Sequence, residues 1–211
     1  MSNTVEIADS VGPFRVRIGY WMNTGWEWFL KDIGMHLLIG LIAAIFLHVG
    51  TIFLMGPVYA GMAVAGLRMA RSQRTEVQDF LDGFRYFLAA FLSSLLIFVF
   101  VVVGLIFLIV PGLVITAMYL FTFHFIVDRH QDFWQAMESS RKVVSRDYFG
   151  FTLFVVLLGI INALGLAFFW VGILLTLPVS YLATTAAYLD VLGTEPALLS
   201  DSPPPPPVHI E

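Results

Sequence analysis

The sequence predicts an all-α, polytopic membrane protein with six transmembrane helices, arranged as three repeated helical hairpins that are each preceded by an amphipathic interfacial helix. Of the 211 residues, 59% are hydrophobic and only 12% are charged, whereas about 25% of the residues in a soluble domain are charged. Three stretches, residues 33–67, 86–127 and 148–189, contain no Asp, Glu, Lys or Arg. Each is about twice as long as the roughly 20 residues that cross a bilayer once, so each predicts a hairpin of two spans.

The apolar runs inside these stretches favour helices over the strands of a membrane barrel. Barrel strands alternate lipid-facing apolar residues with polar ones. Residues 95–102, in contrast, are apolar without interruption. The predicted secondary structure is therefore helical throughout.

Along the chain we expect a cytoplasmic N-terminal segment (1–19), a membrane domain (20–192) and a proline-rich cytoplasmic tail (193–211). The three repeats of the membrane domain cover about residues 20–74, 76–129 and 132–192. Each begins with a short amphipathic segment carrying bulky apolar side chains, such as Trp21 or Trp134, and Trp and Tyr favour the headgroup zone of a membrane. The run of prolines at 203–207 favours an extended, disordered tail, with a ligand for a proline-binding groove as the alternative.

The reversal of each hairpin lies in a segment that starts with Gly and ends with Pro: residues 50–57, 104–111 and 172–178. The turn falls either near the glycine or near the proline, where proline would suit the first turn of a helix. If a helix began at Pro57, only about eleven residues would precede Arg68, too few for a span. Either Arg68 extends to the interface from a longer helix, or the helix begins earlier and is kinked at Pro57.

All 11 Lys and Arg residues lie before or between the three apolar stretches. If each stretch is a hairpin, these charges fall on one side of the membrane. Basic loops face the cytoplasm in membrane proteins, so we expect the charged side and both termini to be cytoplasmic.

Part of the chain resembles a bacterial family. The residues that carry the resemblance are 109–112 at the second reversal, 126–128 at the end of the following helix, 133–140 (Phe-Trp-Gln-Ala-Met-Glu-Ser-Ser), and 56–70 followed by 79–84. They resemble the six-helix membrane domain found in some bacterial glycerophosphodiester phosphodiesterases and in related stand-alone integral membrane proteins. The resemblance covers about residues 26–192 and implies a bacterial inner-membrane location. No phosphodiesterase domain follows residue 192, so that activity is not expected.

Catalytic chemistry is not expected. The chain has no cysteine, which excludes thiolate nucleophiles and Cys-ligated metals. Neither the H-E-x-x-H nor the G-x-S-x-G motif occurs, and the apolar stretches hold no acid or base other than histidine. We expect no enzyme activity, no cofactor and no metal. The net charge of −4 also disfavours a nucleic-acid partner.

The sequence suggests a polar path through the membrane domain as one candidate site. Thr176, Ser180 and Thr184 recur every four residues and so share one helix face. Asn162, on the preceding helix, and His48 could join them. The alternative is that the hydroxyls bond to carbonyls one turn earlier or across helices.

A second candidate site is a set of charged residues on the predicted cytoplasmic face that could contact a partner: Arg71, Arg74, Asp79, Asp82, Arg141 and Arg146. The alternative is a solvated or headgroup-facing rim. The small residues Gly61, Ala65, Gly66 and Ala70 allow close helix approach and predict that their helix is central and buried. Its alternative role is to line a wide pore.

These observations favour a non-enzymatic membrane protein with an accessory, scaffolding or assembly role toward other membrane proteins or lipids. We expect membrane lipids as partners, together with other membrane proteins or a second copy of the chain. The alternative is a channel or transporter for a small neutral or lipid-like solute. The absence of intramembrane charges leaves no evident site for a coupling ion.

Overall fold

The computed structural model of the protein describes residues 15–49, 51–72, 74–167 and 171–193, apart from the side chains at 45–49, 51–53, 72, 107 and 171. All regular secondary structure in these residues is helical. The helices are α1 (Ile18–Lys31), α2 (Ile33–Val49), α3 (Thr51–Ser72), α4 (Val77–Asp82), a 3₁₀ helix (Gly83–Tyr86), α5 (Phe87–Phe107), α6 (Ile109–Met118), α7 (Thr122–Arg129), α8 (Phe133–Val144), α9 (Tyr148–Ala167) and α10 (Val171–Val191). Most of the predicted N-terminal segment and tail lies outside the described residues.

Aspartates mark the starts of three of these helices. The Oδ1 atom of each aspartate accepts a hydrogen bond from the backbone N–H three residues later in the chain. The pairs are Asp32 with Met35 (3.2 Å), Asp132 with Gln135 (2.8 Å) and Asp147 with Gly150 (2.9 Å). The first N–H groups of a helix lack partners within the helix, and a carboxylate also interacts favourably with the helix dipole there. These acids therefore define where α2, α8 and α9 begin.

Four helical segments of the described chain are long and apolar enough to cross a membrane, as expected of a membrane-embedded protein. They are Val77–Ile106, Ile109–Arg129, Tyr148–Ala167 and Gly172–Val191. The six predicted spans and the three hairpins remain a prediction. In α2 the described apolar part, Ile33–Ala44, is shorter than a span. In α3 the many Gly and Ala residues and two arginines lower the mean hydropathy.

The reversals lie on the N-terminal side of the prolines. α2 ends at Val49 and α3 begins at Thr51, so Pro57 is inside α3. Pro178 is likewise inside α10. At the second reversal Leu108 is extended, with ψ of 150°, and Pro111 occupies the first turn of α6. α3 therefore begins before Pro57, as the earlier of the two starts considered for this helix requires, and it continues past Arg68 to Ser72.

Helices α3 and α10 form the centre of the structure. α3 packs against α2, α5, α7 and α10, and α10 packs against α1, α2, α3 and α9. Residues 56–67 of α3 are buried except for Tyr59, which is half-buried. The central, buried position predicted from the small residues is confirmed.

Glycine allows some of these contacts to be very close. A Cβ atom on Gly56 would overlap the backbone carbonyl of Ala90 on α5, and one on Gly66 would overlap Oγ1 of Thr185 on α10. Gly25 of α1 approaches the backbone of Ala183 in the same way. Small residues let helix backbones approach where larger side chains would hold them apart.

Each of the short helices that precede the apolar segments packs against another helix: α1 against α10, α4 against α3, and α8 against α7. The first of these contacts joins the two ends of the described chain. Arg17 forms an ion pair with Asp190, and the indole Nε1 of Trp21 donates to Asp190 Oδ2 at 2.7 Å. The end of the structure that carries these ionised residues is called the charged end below. The opposite end, where α2 ends at Val49, Leu108 separates α5 from α6, and α10 begins at Val171, is called the reversal end.

Candidate functional site

A cavity of about 620 Å³ lies between the long helices and is called the chamber here. Its walls come from α3, α5, α6, α7, α9 and α10. The lining extends from Met55, Val101 and Ile173, toward the reversal end, to Ala63 and Thr184 in the charged-end half. Its volume is within the roughly 300–1,000 Å³ typical of ligand pockets.

The wall of the chamber is mostly apolar. Methionine side chains from Met55 and Met62 contribute to it, and the rings of Tyr59 and Phe123 stack with their centroids 5.5 Å apart. None of its described lining residues is Asp, Glu, Lys or Arg. Methionine adapts to irregular shapes, so this wall suits a flexible apolar occupant.

Most hydroxyl groups of the wall already have partners on their own helices. The donor–acceptor pairs are Ser94 Oγ to Phe91 O (2.8 Å), Thr116 Oγ1 to Gly112 O (2.9 Å), Ser180 Oγ to Thr176 O (2.7 Å) and Thr184 Oγ1 to Ser180 O (2.8 Å). Such bonds use the single hydroxyl hydrogen of each residue. These four hydroxyls can then only accept hydrogen bonds from an occupant.

The structure brings three of the five predicted polar-path residues together. Asn162 Nδ2 donates to Ser180 Oγ at 2.7 Å and to Leu158 O at 2.8 Å. Asn162, Ser180 and Thr184 all line the chamber. Their hydrogen bonds run back along a helix or across to its neighbour, which was the alternative to a polar path.

The other two residues of that set are placed differently. Thr176 faces α9, where a Cβ on Gly165 would overlap its Oγ1. His48 belongs to α2, but its side chain lies outside the described residues.

At the charged end of the chamber, around its lining residue His124, lies a packed group of residues called the floor here: Gly66, His124, Thr185 and Tyr188. His124 Nε2 lies 3.0 Å from Thr185 Oγ1, which donates its own hydrogen to Tyr181 O. His124 Nε2 is therefore the donor in the first bond. Since the side chain of Thr185 is seated against Gly66, the floor joins α3, α7 and α10.

Below the floor lies a packed aromatic layer. The ring of Tyr188 is 5.1 Å from that of His124 and 5.2 Å from that of Phe125, and Phe121 packs at 5.9 Å. The hydroxyl of Tyr188 donates to Asp128 Oδ2 at 2.9 Å. All of these aromatic side chains are buried, so the layer separates the chamber from the charged end.

The charged residues predicted to contact a partner form several separate local pairs. Arg71 pairs with Asp128, whose side chain is only 8% exposed. Asp79 is buried; its carboxylate accepts the Glu76 N–H at 2.9 Å and lies 3.5 Å from Arg68.

The remaining members of this set lie on α4, on α8 and in the adjoining turns. Asp82 is 4.0 Å from Arg85. Arg141 donates to both carboxylate oxygens of Glu138, at 2.8 and 2.6 Å. These bonds lower the pKa of Glu138 and raise that of Arg141. Arg74 and Arg146 also interact with other parts of the chain.

Among the described residues no three His, Asp or Glu side chains lie close enough together to hold a metal ion. Comparison with other proteins adds no assignment: no known protein family matches the chain, and neither a curated protein nor a solved structure is significantly similar to it.

Several residues of the site were not singled out from the sequence. They are the chamber residues Met55, Tyr59 and Gly159 and the floor residues Thr185 and Tyr188. Of these, Thr185 had the clearest sequence signal. It is a second hydroxyl next to Thr184, and it faces a different side of the helix from the Thr176–Ser180–Thr184 stripe.

Proposed function

We propose that the protein is a non-enzymatic integral protein of a bacterial inner membrane, and that its accessory role depends on binding a lipid-like molecule in the chamber. The observation that carries the proposal is a cavity of about 620 Å³ with a mostly apolar wall in the middle of the apolar helices.

The size of the chamber supports an occupant. Its volume of about 620 Å³ is that of pockets that hold small molecules. The pocket is partly open rather than sealed, so an apolar chain from the surrounding lipid can enter it.

Water is a poor occupant for the same space. A buried water molecule needs about two to four polar partners. Four hydroxyls of the wall donate to their own helices and both Asn162 Nδ2 hydrogens are in use, so the groups that could hold water are confined to part of a wall that is mostly apolar. Hydrocarbon requires no hydrogen bonds, so the wall favours the chain of a lipid-like molecule.

A pair of glycine variants tests this proposal. Gly159 lines the chamber, and a Cβ atom added there meets nothing within 4 Å; Gly159→Phe should therefore fill the space without a clash at the backbone. Gly34, on α2, has equally open surroundings and does not line the chamber, so Gly34→Phe is the matched control.

The measurement is lipid retained by the protein after purification in mild detergent, extracted and quantified by mass spectrometry. We expect the wild type and Gly34→Phe to retain the same lipid in a fixed molar ratio, and Gly159→Phe to lose it. Equal retention in all three proteins, or none in the wild type, would contradict the proposal.

The proposed topology is six spans with both termini in the cytoplasm, built from three repeats. It is supported by the four apolar helical segments and by the recurrence of a short helix, α1, α4 or α8, that packs against another helix of the domain. Because the chain has no cysteine, single substitutions can be labelled selectively. Leu108→Cys, at a position that is 67% exposed, should react with a membrane-impermeant maleimide added to whole cells, whereas Ser10→Cys should not. Labelling of position 10 from outside would overturn this topology.

The accessory role would also involve other membrane proteins or a second copy of the chain. The exposed arginines of the charged end, such as Arg71 with a 60% exposed side chain, are the proposed contacts. Gentle-detergent purification followed by mass spectrometry should recover partners from the wild type, and fewer of them from an Arg71→Ala and Arg141→Ala double variant. A pure monomer without partner or lipid would refute the accessory role.

Transport of a lipid-like solute is the second candidate function. It is favoured by the clustering of Asn162, Ser180 and Thr184 in the chamber wall. The floor opposes it, because conduction would require α3, α7 and α10 to separate. Transbilayer movement of a fluorescent lipid in liposomes should be no faster with the protein than without it. Faster movement that Ser180→Leu abolishes would make transport the better assignment.

A further inference from the structure

The residues that line the chamber indicate whether its occupant is charged. Its described lining residues include no Lys or Arg that could neutralise a phosphate or carboxylate group. Beyond the floor, Arg71 and Arg129 are both paired with Asp128. A charge left unpaired in an apolar environment is strongly disfavoured.

Hydrogen bonding in the wall leads to the same conclusion. An anionic group needs donors, and the hydroxyls of Ser94, Ser180 and Thr184 donate to backbone carbonyls. Both Asn162 Nδ2 hydrogens are engaged, by Leu158 O and Ser180 Oγ. The same hydroxyl oxygens still have a lone pair to accept a hydrogen bond. An alcohol can use them, whereas a phosphate or carboxylate cannot. For such an anion the described lining offers only the neutral hydroxyls of Tyr59, Tyr119 and Tyr181 as donors, with no cation beside them.

We infer that the chamber selects an uncharged, hydrocarbon-rich molecule with at most a hydroxyl or a similar neutral polar group, and discriminates against anionic lipids. This inference rests on the proposed lipid-binding function and names the class of ligand. The stacked rings of Tyr59 and Phe123 and the side chains of Met55 and Met62 provide the contacts for its hydrocarbon part.

The test compares two photoreactive probes that differ only in charge: a hexadecanol with a diazirine in its chain, and the corresponding hexadecyl phosphate. The full-length protein is placed in bilayer nanodiscs of a zwitterionic lipid, irradiated, and digested for mass spectrometry. Labelling of lipid-exposed residues such as Ile109, which is 70% exposed, corrects for the membrane concentration of each probe.

After this correction we expect the alcohol to label residues 54–63 and 173–184 at least tenfold more than the phosphate does. In the wild-type protein, excess unlabelled hexadecanol should reduce this labelling, a control that requires no substitution. The Gly159→Phe variant should lose chamber labelling by the alcohol probe, and Gly34→Phe should keep it.

The outcomes separate the inference from the proposed function. Equal or stronger chamber labelling by the phosphate would overturn the selectivity for uncharged molecules and leave lipid binding intact. Chamber labelling by the alcohol that hexadecanol does not displace would show non-specific contact with bulk lipid, and would refute both. The absence of chamber labelling by either probe would likewise refute both.

Discussion

Replacing Gly66 by alanine tests the floor of the chamber directly. The added Cβ would overlap Thr185 Oγ1 and lie 3.1 Å from Thr185 Cβ. Thr185 is fully buried and β-branched, so its side chain has few alternative rotamers on a helix. Either α3 and α10 move apart, or the bond between His124 and Thr185 breaks.

The size of the effect follows from two opposing contributions. Overpacking a well-packed core costs about 1–3 kcal/mol. Replacing glycine by alanine inside a helix gains roughly 0.5–1 kcal/mol. Gly34→Ala experiences only the gain, because its Cβ meets nothing within 4 Å. The stability of Gly66→Ala should therefore fall below that of Gly34→Ala by the packing cost alone, about 1–3 kcal/mol.

The assay is reversible unfolding by sodium dodecyl sulfate in mixed micelles, followed by the fluorescence of the five tryptophans. Thr185→Ala removes the clashing oxygen and should cost about 1 kcal/mol by itself, through the lost bond from His124. In the double variant Gly66→Ala/Thr185→Ala the two losses should not add, because the overlap is gone. Additive losses, or a Gly66→Ala protein as stable as Gly34→Ala, would show that the floor does not have this geometry.

Two further predictions concern the charged end. Asp128→Asn should lower the unfolding free energy by roughly 1.5–3 kcal/mol, because Arg71, Arg129 and Tyr188 all contact this 8% exposed carboxylate. The control is Asp82→Asn, since Asp82 forms only an exposed pair with Arg85 at 4.0 Å; in the same detergent titration it should stay within about 0.5 kcal/mol of the wild type. Equal losses in the two variants would contradict a stabilising role for Asp128. Arg141 lowers the pKa of Glu138, so this pair stabilises the fold above the ordinary Glu pKa of about 4.3 and loses its effect as the pH falls through the lowered value. Wild type and Glu138→Gln should therefore differ in stability at pH 7 by less than about 1 kcal/mol. The difference should disappear as the pH falls below the lowered pKa of Glu138, and a difference that grows in acid would refute this linkage.

The features of the fold that could be predicted from the sequence are those that depend on local composition. The helical class and the four apolar segments follow from long runs without charge, and the apolar character of a run does not depend on what surrounds it. The buried position of α3 followed from its small residues in the same way. The number of spans is harder to predict, because small residues and Arg68 make α3 less apolar than a lipid-facing helix, although its neighbours cover it.

The positions of the reversals could not be decided from the glycine and proline residues alone. Proline lacks an N–H and usually ends a helix, but Pro57 and Pro178 both lie inside helices. Such prolines are tolerated in membrane helices when neighbouring groups satisfy the freed carbonyl. Whether they are satisfied depends on packing between helices, which no local pattern records.

The glycines of the candidate site show most clearly that a local sequence pattern does not reveal contacts between helices. Gly66 and Gly159 are both helical glycines in apolar segments, and the spacing around Gly66 correctly indicated a close approach. Only the structure shows that Gly66 faces Thr185 whereas a Cβ on Gly159 meets nothing within 4 Å. The first glycine closes the bundle, and the second leaves room in the chamber. A glycine can shorten the distance between two helices or widen the space between them, and its effect is decided by the residue across from it. The walls of the chamber come from six helices, so the chamber could not be predicted from the sequence of any one of them. For the same reason, a larger side chain should have different effects at the two glycines: strain at Gly66, and displacement of the occupant at Gly159.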